Sequence, residues 1–226
     1  MELSEVMRTT AAARSFTPEP VPDALLHRVL DDARFAPSGG NRQGWRVIVV
    51  RDPQVRARLR DLSVPAWREY AAHARAGLVP FAPVDGGRWP GPAVDLDEAR
   101  RTPAPAPFVD GLAEVPVLLV VTVQLDQLAV LDVDADRQSI VGGASIYPFV
   151  QNLLLAARNV GLGGVMTTFL TRAEREAREV LALPEGVAIA SVVALGFPEH
   201  QVTRLRRRAV EEFTRIDRYS GDAFSG

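Results

Sequence analysis

Apolar positions along the chain repeat in two ways. Leu25, Leu26, Val29, Leu30 and Ala33 recur at intervals of three and four, the spacing of one face of a helix; Pro22 suits its first position and Pro37 closes the run. Ile146, Val150, Leu153, Leu154 and Ala157 predict a second helix, ended by Gly161. Phe149 and Leu155 make it apolar on more than one side, so it needs burial in a core or by a partner. Trp45 to Val50, Val115 to Gln124 and Val187 to Phe197 are short, nearly unbroken apolar runs and predict buried strands. Gln54 to Leu62 predicts a helix, and Thr171 with Glu174 has the spacing of a capping box opening a helix to about Leu181. Gly161-Leu162-Gly163-Gly164 follows a helix, whereas a dinucleotide-binding glycine loop follows a strand; it predicts a helix C-cap leading into extended chain.

Between Pro65 and Pro107 the pattern changes. This stretch is rich in proline and glycine yet carries Trp67, Tyr70, Phe81 and Trp89, too apolar for a disordered linker. A long irregular insertion in a compact domain is usually functional. No segment has the chemistry of a domain linker, so residues 1–226 read as one domain with one insertion at about 65–107.

Composition narrows the chemistry. At 226 residues and 47% hydrophobic, the chain is long enough for a substantial core. With a net charge of −2 it shows no basic excess for nucleic acid or an anionic membrane, and no apolar run could span a bilayer. Cysteine is absent, which excludes disulfides and thiol nucleophiles and fits a cytoplasmic protein. There is no lysine, which excludes Schiff-base chemistry. His27, His73 and His200 are scattered without metal-ligand spacing, and no serine nucleophile elbow is present. Such a chain either binds something or leaves the chemistry to a cofactor.

Two constellations remain. Ala36-Pro37-Ser38-Gly39-Gly40-Asn41-Arg42-Gln43-Gly44-Trp45 joins a helix to a strand. It offers unshielded backbone N–H groups, a hydroxyl and the amides of Asn41 and Gln43, a mix that suits a flavin ring; the same residues also make ordinary turns. Arg204-Leu205-Arg206-Arg207-Arg208 is either a solvated tail or a holder for one phosphate group, to which Arg8 and Arg14 could add.

In order along the chain, these segments resemble the nitroreductase family of flavoproteins. The resemblance is carried by Arg14-Ser15-Phe16-Thr17 with Glu19-Pro20-Val21-Pro22, by the loop from Ala36 to Trp45, and by Gln151 to Ala157 followed by Gly161-Leu162-Gly163. Pro184-Glu185-Gly186, Leu195-Gly196-Phe197-Pro198 and the closing cluster Arg206, Arg208, Glu211 and Glu212 complete it. The chain departs from the pattern in two places: Ala11, Ala12 and Ala13 stand where many relatives carry a further basic residue, and Gly44 stands where proline commonly precedes the tryptophan.

The resemblance implies an α+β fold with a mostly antiparallel sheet flanked by helices, in an intertwined homodimer with FMN at the interface. NAD(P)H and a small-molecule acceptor would use the same pocket in turn, a ping-pong scheme with the flavin N5 as the hydride carrier and no catalytic side chain. It implies nitroaromatics, quinones or similar flat molecules as acceptors. The alternatives on the same fold are a dehalogenase, a flavin-cleaving oxidase, a tailoring dehydrogenase or a flavin-binding module without turnover. Carried over by position, Arg14, Arg206 and Arg208 match ribityl-phosphate contacts, with Arg8 nearby. Pro37, Ser38 and Gly39 match the loop reaching the flavin from the other subunit, and Asn41 and Gln43 share its motif. Thr167 and Thr168 fall beside the flavin's reactive edge, and Trp67, Tyr70, Phe81 and Trp89 are candidates for a cover over the substrate.

Overall fold

The computed structural model describes residues 1–82, 85–103 and 106–226. Four strands form one sheet: β1 (Trp45–Val50), β2 (Val117–Gln124), β3 (Gly163–Thr167) and β4 (Val187–Gly196). Their order is β1-β2-β4-β3, and all three ladders are antiparallel. Eight α-helices are described: α1 (Leu3–Thr9), α2 (Asp23–Ala33), α3 (Pro53–Arg75), α4 (Leu96–Arg101), α5 (Pro107–Asp110), α6 (Tyr147–Asn159), α7 (Glu174–Val180) and α8 (Val210–Phe213).

The central strands are apolar throughout because both faces of the sheet are covered. Alternation still sorts their side chains. Val117, Leu119, Val121 and Val123 face α2 and α6, while Leu118 and Val120 face the layer holding Leu59 of α3 and Ala177 of α7. The β2–β4 register slips at Val121/Thr122, a bulge that passes over Ala190. That extra residue reverses the alternation in β4: Val193 and Leu195 share the α2–α6 layer with Ala190, although an unbroken strand would send Ala190 the other way. Phe149 of α6 stacks on Trp45 of β1 at 5.0 Å and ties this layer to the sheet edge.

The predicted strands and the α2 and α6 helices lie where periodicity puts them, and Gly161, at φ +87°, caps α6 before β3. Three expectations are corrected. The helix predicted to stop at Leu62 runs to Arg75, through Pro65. Pro65 removes one intrahelical bond, but burial of Ala66, Glu69 and His73 on the following turns holds the helix together. The insertion therefore starts as continuous helix, carrying Trp67 and Tyr70; positions 83–84 and 104–105 of that stretch lie outside the described residues. Thr171 does not cap α7: it lies in a 3-10 segment, Phe169–Ala173, where its hydroxyl donates to the Thr168 carbonyl. Glu174 instead accepts the Ile189 N–H at 2.6 Å, joining α7 to β4. The helices α1, α4 and α5 are additions to the sequence expectation.

Candidate active site

Beside the open edge of β3, the chain from Ala12 to Thr17 is laid down by backbone contacts. Ala12 pairs with Gly164, Ala13 N–H donates to the Gly164 carbonyl at 3.0 Å, and Thr17 N–H donates to the Phe197 carbonyl at 2.8 Å. The approach is close enough that a Cβ on Gly163 would sit 2.7 Å from that of Ala13. Arg14 is thereby carried to the end of β3, where it lines a cavity of about 450 Å³ with Met166, Thr167 and Thr168. The opposite wall is Trp67 and Tyr70, one helical turn apart on α3 and stacked at 5.3 Å with 12° between their planes. Phe169 meets both rings edge-on at 5.6 and 5.9 Å, and Phe108 of α5 closes another side. Arg14 is the sole charged side chain among the described residues lining this cavity.

The loop from Pro37 to Gln43 lies elsewhere on the same chain, against the start of α6. Gly39 N–H donates to the hydroxyl of buried Ser145 at 3.0 Å. The Ser38 hydroxyl oxygen accepts the Gln43 N–H at 2.9 Å, and the Gln43 amide donates to the Asn41 side-chain oxygen at 3.1 Å. Asn41 and Gln43 both hold left-handed backbone, φ +53° and +51°, which costs an L-residue energy and clusters at functional sites. Gly44 is buried, and a Cβ there would sit 2.6 Å from that of Gln127. Only a residue without a side chain fits, and its carbonyl accepts the Gln124 N–H at 2.9 Å to start the β1–β2 ladder.

The basic residues separate into groups. Arg8 lines a groove with Arg204, Arg207 and exposed Phe213, between α1 and the C-terminal segment. Arg206 and Arg208 are exposed on that segment, and the structure gives them no ion pair to another described residue. Gln201, whose amide donates to the Thr9 carbonyl at 3.3 Å, marks where the segment leaves the body of the fold. Within one chain, then, Arg14, Thr167, Thr168, Trp67 and Tyr70 come together, while Pro37 to Gln43 and the arginines after Gln201 do not join them.

Phe81 and Trp89 do not line the cavity; they pack on a residue that the sequence did not single out. Arg172, in the 3-10 segment after Thr168, meets Glu69 of α3 through Nη2 at 2.9 and 3.2 Å and Nε at 3.2 Å. The Glu69 side chain is 6% exposed. The Arg172 guanidinium lies 5.1 Å from the Trp89 ring and 5.9 Å from the Phe81 ring. His73, one turn after Glu69 and buried, has Nδ1 2.8 Å from the Glu69 carbonyl and accepts the Ala93 N–H on Nε2 at 3.2 Å. With Nε2 accepting, Nδ1–H is the donor to the Glu69 carbonyl, which fixes the ring between α3 and the segment at Ala93. The one sequence signal was the Glu69–His73 spacing of four residues within the aromatic stretch, legible only once that stretch is known to be helical.

The residues from 85 to 88 are also sewn to a second loop. Gln138 N–H donates to the Gly87 carbonyl at 3.1 Å, and Arg88 Nη2 donates to the Ala135 carbonyl at 3.3 Å. Within that second loop the Asp132 carboxylate accepts from Ile140 N–H at 2.9 Å, Arg137 at 2.7 Å and the Ser139 hydroxyl at 2.8 Å. The Ile140 amide and the Arg137 guanidinium hold this carboxyl far below the ordinary carboxylate range.

The family model described as "Nitroreductase family" matches residues 7–197. An NADH dehydrogenase from Thermus thermophilus is 29% identical over 188 residues, 83% of this chain and 82% of the relative. A nitrobenzene nitroreductase from Ectopseudomonas oleovorans is 26% identical over 227 residues, 94% of this chain and 95% of the relative. The solved NADPH:FMN oxidoreductase from Vibrio harveyi superposes with a TM-score of 0.65 at 18% identity, over 96% of this chain and 78% of that one.

Proposed function

The chain belongs to the nitroreductase family, and from that premise we propose that it is a cytoplasmic, homodimeric, FMN-dependent oxidoreductase passing reducing equivalents from NAD(P)H to flat acceptors such as quinones and nitroaromatics. The observation that carries this reading is the cavity at the end of β3, where Arg14, Thr167 and Thr168 face a stacked aromatic wall. Its chemistry fits the flavin. The pyrimidine edge of the ring presents carbonyl oxygens and N1, which need donors, and its N3–H needs an acceptor. Arg14 offers its guanidinium to the ribityl phosphate, and the Ser38 O–H can donate to the ring because its oxygen already accepts from Gln43. Asn41 and Gln43 offer amides with both functions. No carboxylate lines the described cavity to oppose the negative charge that an acceptor gains as it is reduced. Bound FMN supplies reversible hydride transfer.

The chain's own residues do the rest. Trp67 and Tyr70 give a flat surface parallel to an aromatic acceptor and exclude water from it. Arg14 favours neutral or anionic occupants over cations. A nicotinamide and an acceptor enter one cavity in turn. Arg206 and Arg208, free on the exposed arm, are proposed to reach the cofactor phosphate, where charge-assisted bonds are strongest.

A second copy supplies what one chain lacks. The loop from Pro37 to Gln43 does not line the cavity in its own chain, and a larger cavity of about 1030 Å³ lies along α6, sharing Met166 with the smaller one. Around it Tyr147 is 43% exposed, Met166 40% and Ile140 70%. The arm after Gln201 exposes Val210, Phe213, Ile216 and Tyr219 as well. These are faces that an isologous partner would cover, bringing its own loop to the first chain's cavity.

The test is direct. Purified protein should show a flavin spectrum, release FMN by mass, scatter as a dimer and oxidise NADH or NADPH when a quinone is added. Recovery of FAD alone, or of no flavin after reconstitution, overturns the cofactor. Flavin retained without nicotinamide oxidation shifts the reading to a dehalogenase or a binding module on the same fold.

A further inference from the structure

Arg172 joins three parts of the molecule at one guanidinium. It follows Thr167, Thr168 and Phe169, which edge the cavity. Its partner Glu69 precedes Tyr70, whose ring lines that cavity. On its face lie Trp89 and Phe81, from the two described segments 78–82 and 85–93. These segments also meet α3 through Leu78 N–H to the His73 carbonyl, Ala93 N–H to the His73 ring, and the Phe81 ring, 6.4 Å from that of Tyr70 and 6.1 Å from that of His73. Phe81 holds left-handed backbone at φ +54°, a conformation that persists only where surroundings impose it.

Stability alone does not explain the pair. Taking the Glu69 carboxylate out of water is costly, and apolar side chains of similar volume commonly match or exceed a buried ion pair in stability. What such residues could not supply is a fixed plane that meets Glu69 through two nitrogens while its carbon lies 5.1 and 5.9 Å from the Trp89 and Phe81 rings, which is specific to a guanidinium.

We infer that Arg172 is a positioning residue for acceptor recognition: held by Glu69, it fixes Trp89 and Phe81, and through Phe81, whose ring lies 6.4 Å from that of Tyr70, it sets the Trp67–Tyr70 wall against which an acceptor fits. This rests on the proposed function for the identity of the occupant, but the placement of segments 78–82 and 85–93 does not. Arg172 is not among the described residues that line the cavity, so it acts through the rings it packs on.

Arg172→Lys is the informative variant, because it keeps a cation opposite Glu69 while losing the planar fork. In the flavin-loaded dimer, KM for benzoquinone and for a larger naphthoquinone should both change, by unequal factors, the greater being about tenfold, equivalent to ~1.4 kcal/mol. The kcat at saturation and the FMN dissociation constant should stay within about twofold, since neither depends on the rings packed on Arg172. Hydrogen exchange should quicken in 78–82 and 85–93 and stay unchanged in β2 and β4, in flavin-free and loaded protein alike. Arg172→Lys with unaltered KM values, or with unaltered exchange in these segments, overturns the inference. So does faster exchange throughout the sheet, which would make the pair a general brace. Parent protein that exchanges as described but never oxidises NAD(P)H overturns the proposed function, and the exchange comparison then decides the placement by itself.

Discussion

The loop from Pro37 to Gln43 and the segments around Phe81 and Trp89 both border the proposed site, and they are held by opposite means. The loop is fixed from within: Ser38 bonds Gln43, Gln43 bonds Asn41, and two left-handed residues turn the chain. Among the described residues, Ser145 alone hydrogen-bonds it from far along the sequence. The aromatic segments are fixed from outside, by a guanidinium from beyond β3 and a histidine from α3. A surface that must present the same donors every time is built from short-range bonds that barely depend on the rest of the fold. A surface that must suit a particular acceptor hangs on a few distant side chains, where one substitution can reshape it.

Breaking the outer anchor should have the largest effect. Arg172→Ala leaves the Glu69 carboxylate buried and unpaired, so unfolding in urea should show a loss of about 3 kcal/mol, the lower end for a broken buried pair because Arg172 is partly exposed. A loss below about 1 kcal/mol would mean that water reaches Glu69 and that the anchor is weak.

Next is Gly44→Ala, which tests the seat of the loop rather than its interior. The added methyl meets Gln127 at 2.6 Å, so either that residue or the start of β1 must move. Overpacking of this kind should cost about 2 kcal/mol and weaken FMN. An unchanged Tm would show that Gln127 gives way freely.

Asn41→Gly sharpens the contrast further. Glycine accepts the left-handed backbone, so stability should change by less than about 0.5 kcal/mol. The lost amide should weaken FMN about fivefold, the size of one neutral hydrogen bond. Equal flavin affinity in calorimetry would assign the loop a purely structural part.

The smallest effect is one of pH. The Asp132 carboxyl is held below its ordinary range in the folded protein, so what it contributes is present above about pH 4, the unfolded value, and is lost as pH falls toward the depressed one. The Ile140 amide resonance should therefore hold its shift from about pH 7 down to about pH 4 and move only in stronger acid. Movement near about pH 4 would show an unperturbed carboxyl, with the loop free of it.

The same division explains what could be read from the sequence. β1, β2, β4 and α6 were legible because burial on both faces, or around most of a helix, writes itself into local composition. The loop was legible because proline, serine, glycine and asparagine make turns by their own chemistry. Glu69, His73 and Arg172 were not, because Pro65 read as a breaker and concealed that Glu69 and His73 share a helix. The partner of Glu69 lies 103 residues away, and no local pattern points to it. The bulge at Val121/Thr122 was hidden for a related reason: it changes which face Ala190 takes, not whether it is buried. Arg8 and Arg14 looked alike in sequence, yet the pairing of Ala12 with Gly164 sends them to different pockets.

The bonds from Gly87 to Gln138 and from Arg88 to Ala135 bear on how this scaffold could be re-engineered or diversified. A chimera that imports another protein's segment in place of 78–93 alone would discard both bonds and set foreign side chains against Arg137, whose Cβ already lies 3.2 Å from where one on Gly87 would be. The transplantable module is therefore discontinuous, 78–93 together with 131–140, and recombination with a single crossover cannot move it without also moving β2. Acceptor range on this chain should shift by paired exchange of the two loops, or by point changes within one, rather than by swapping a single cassette.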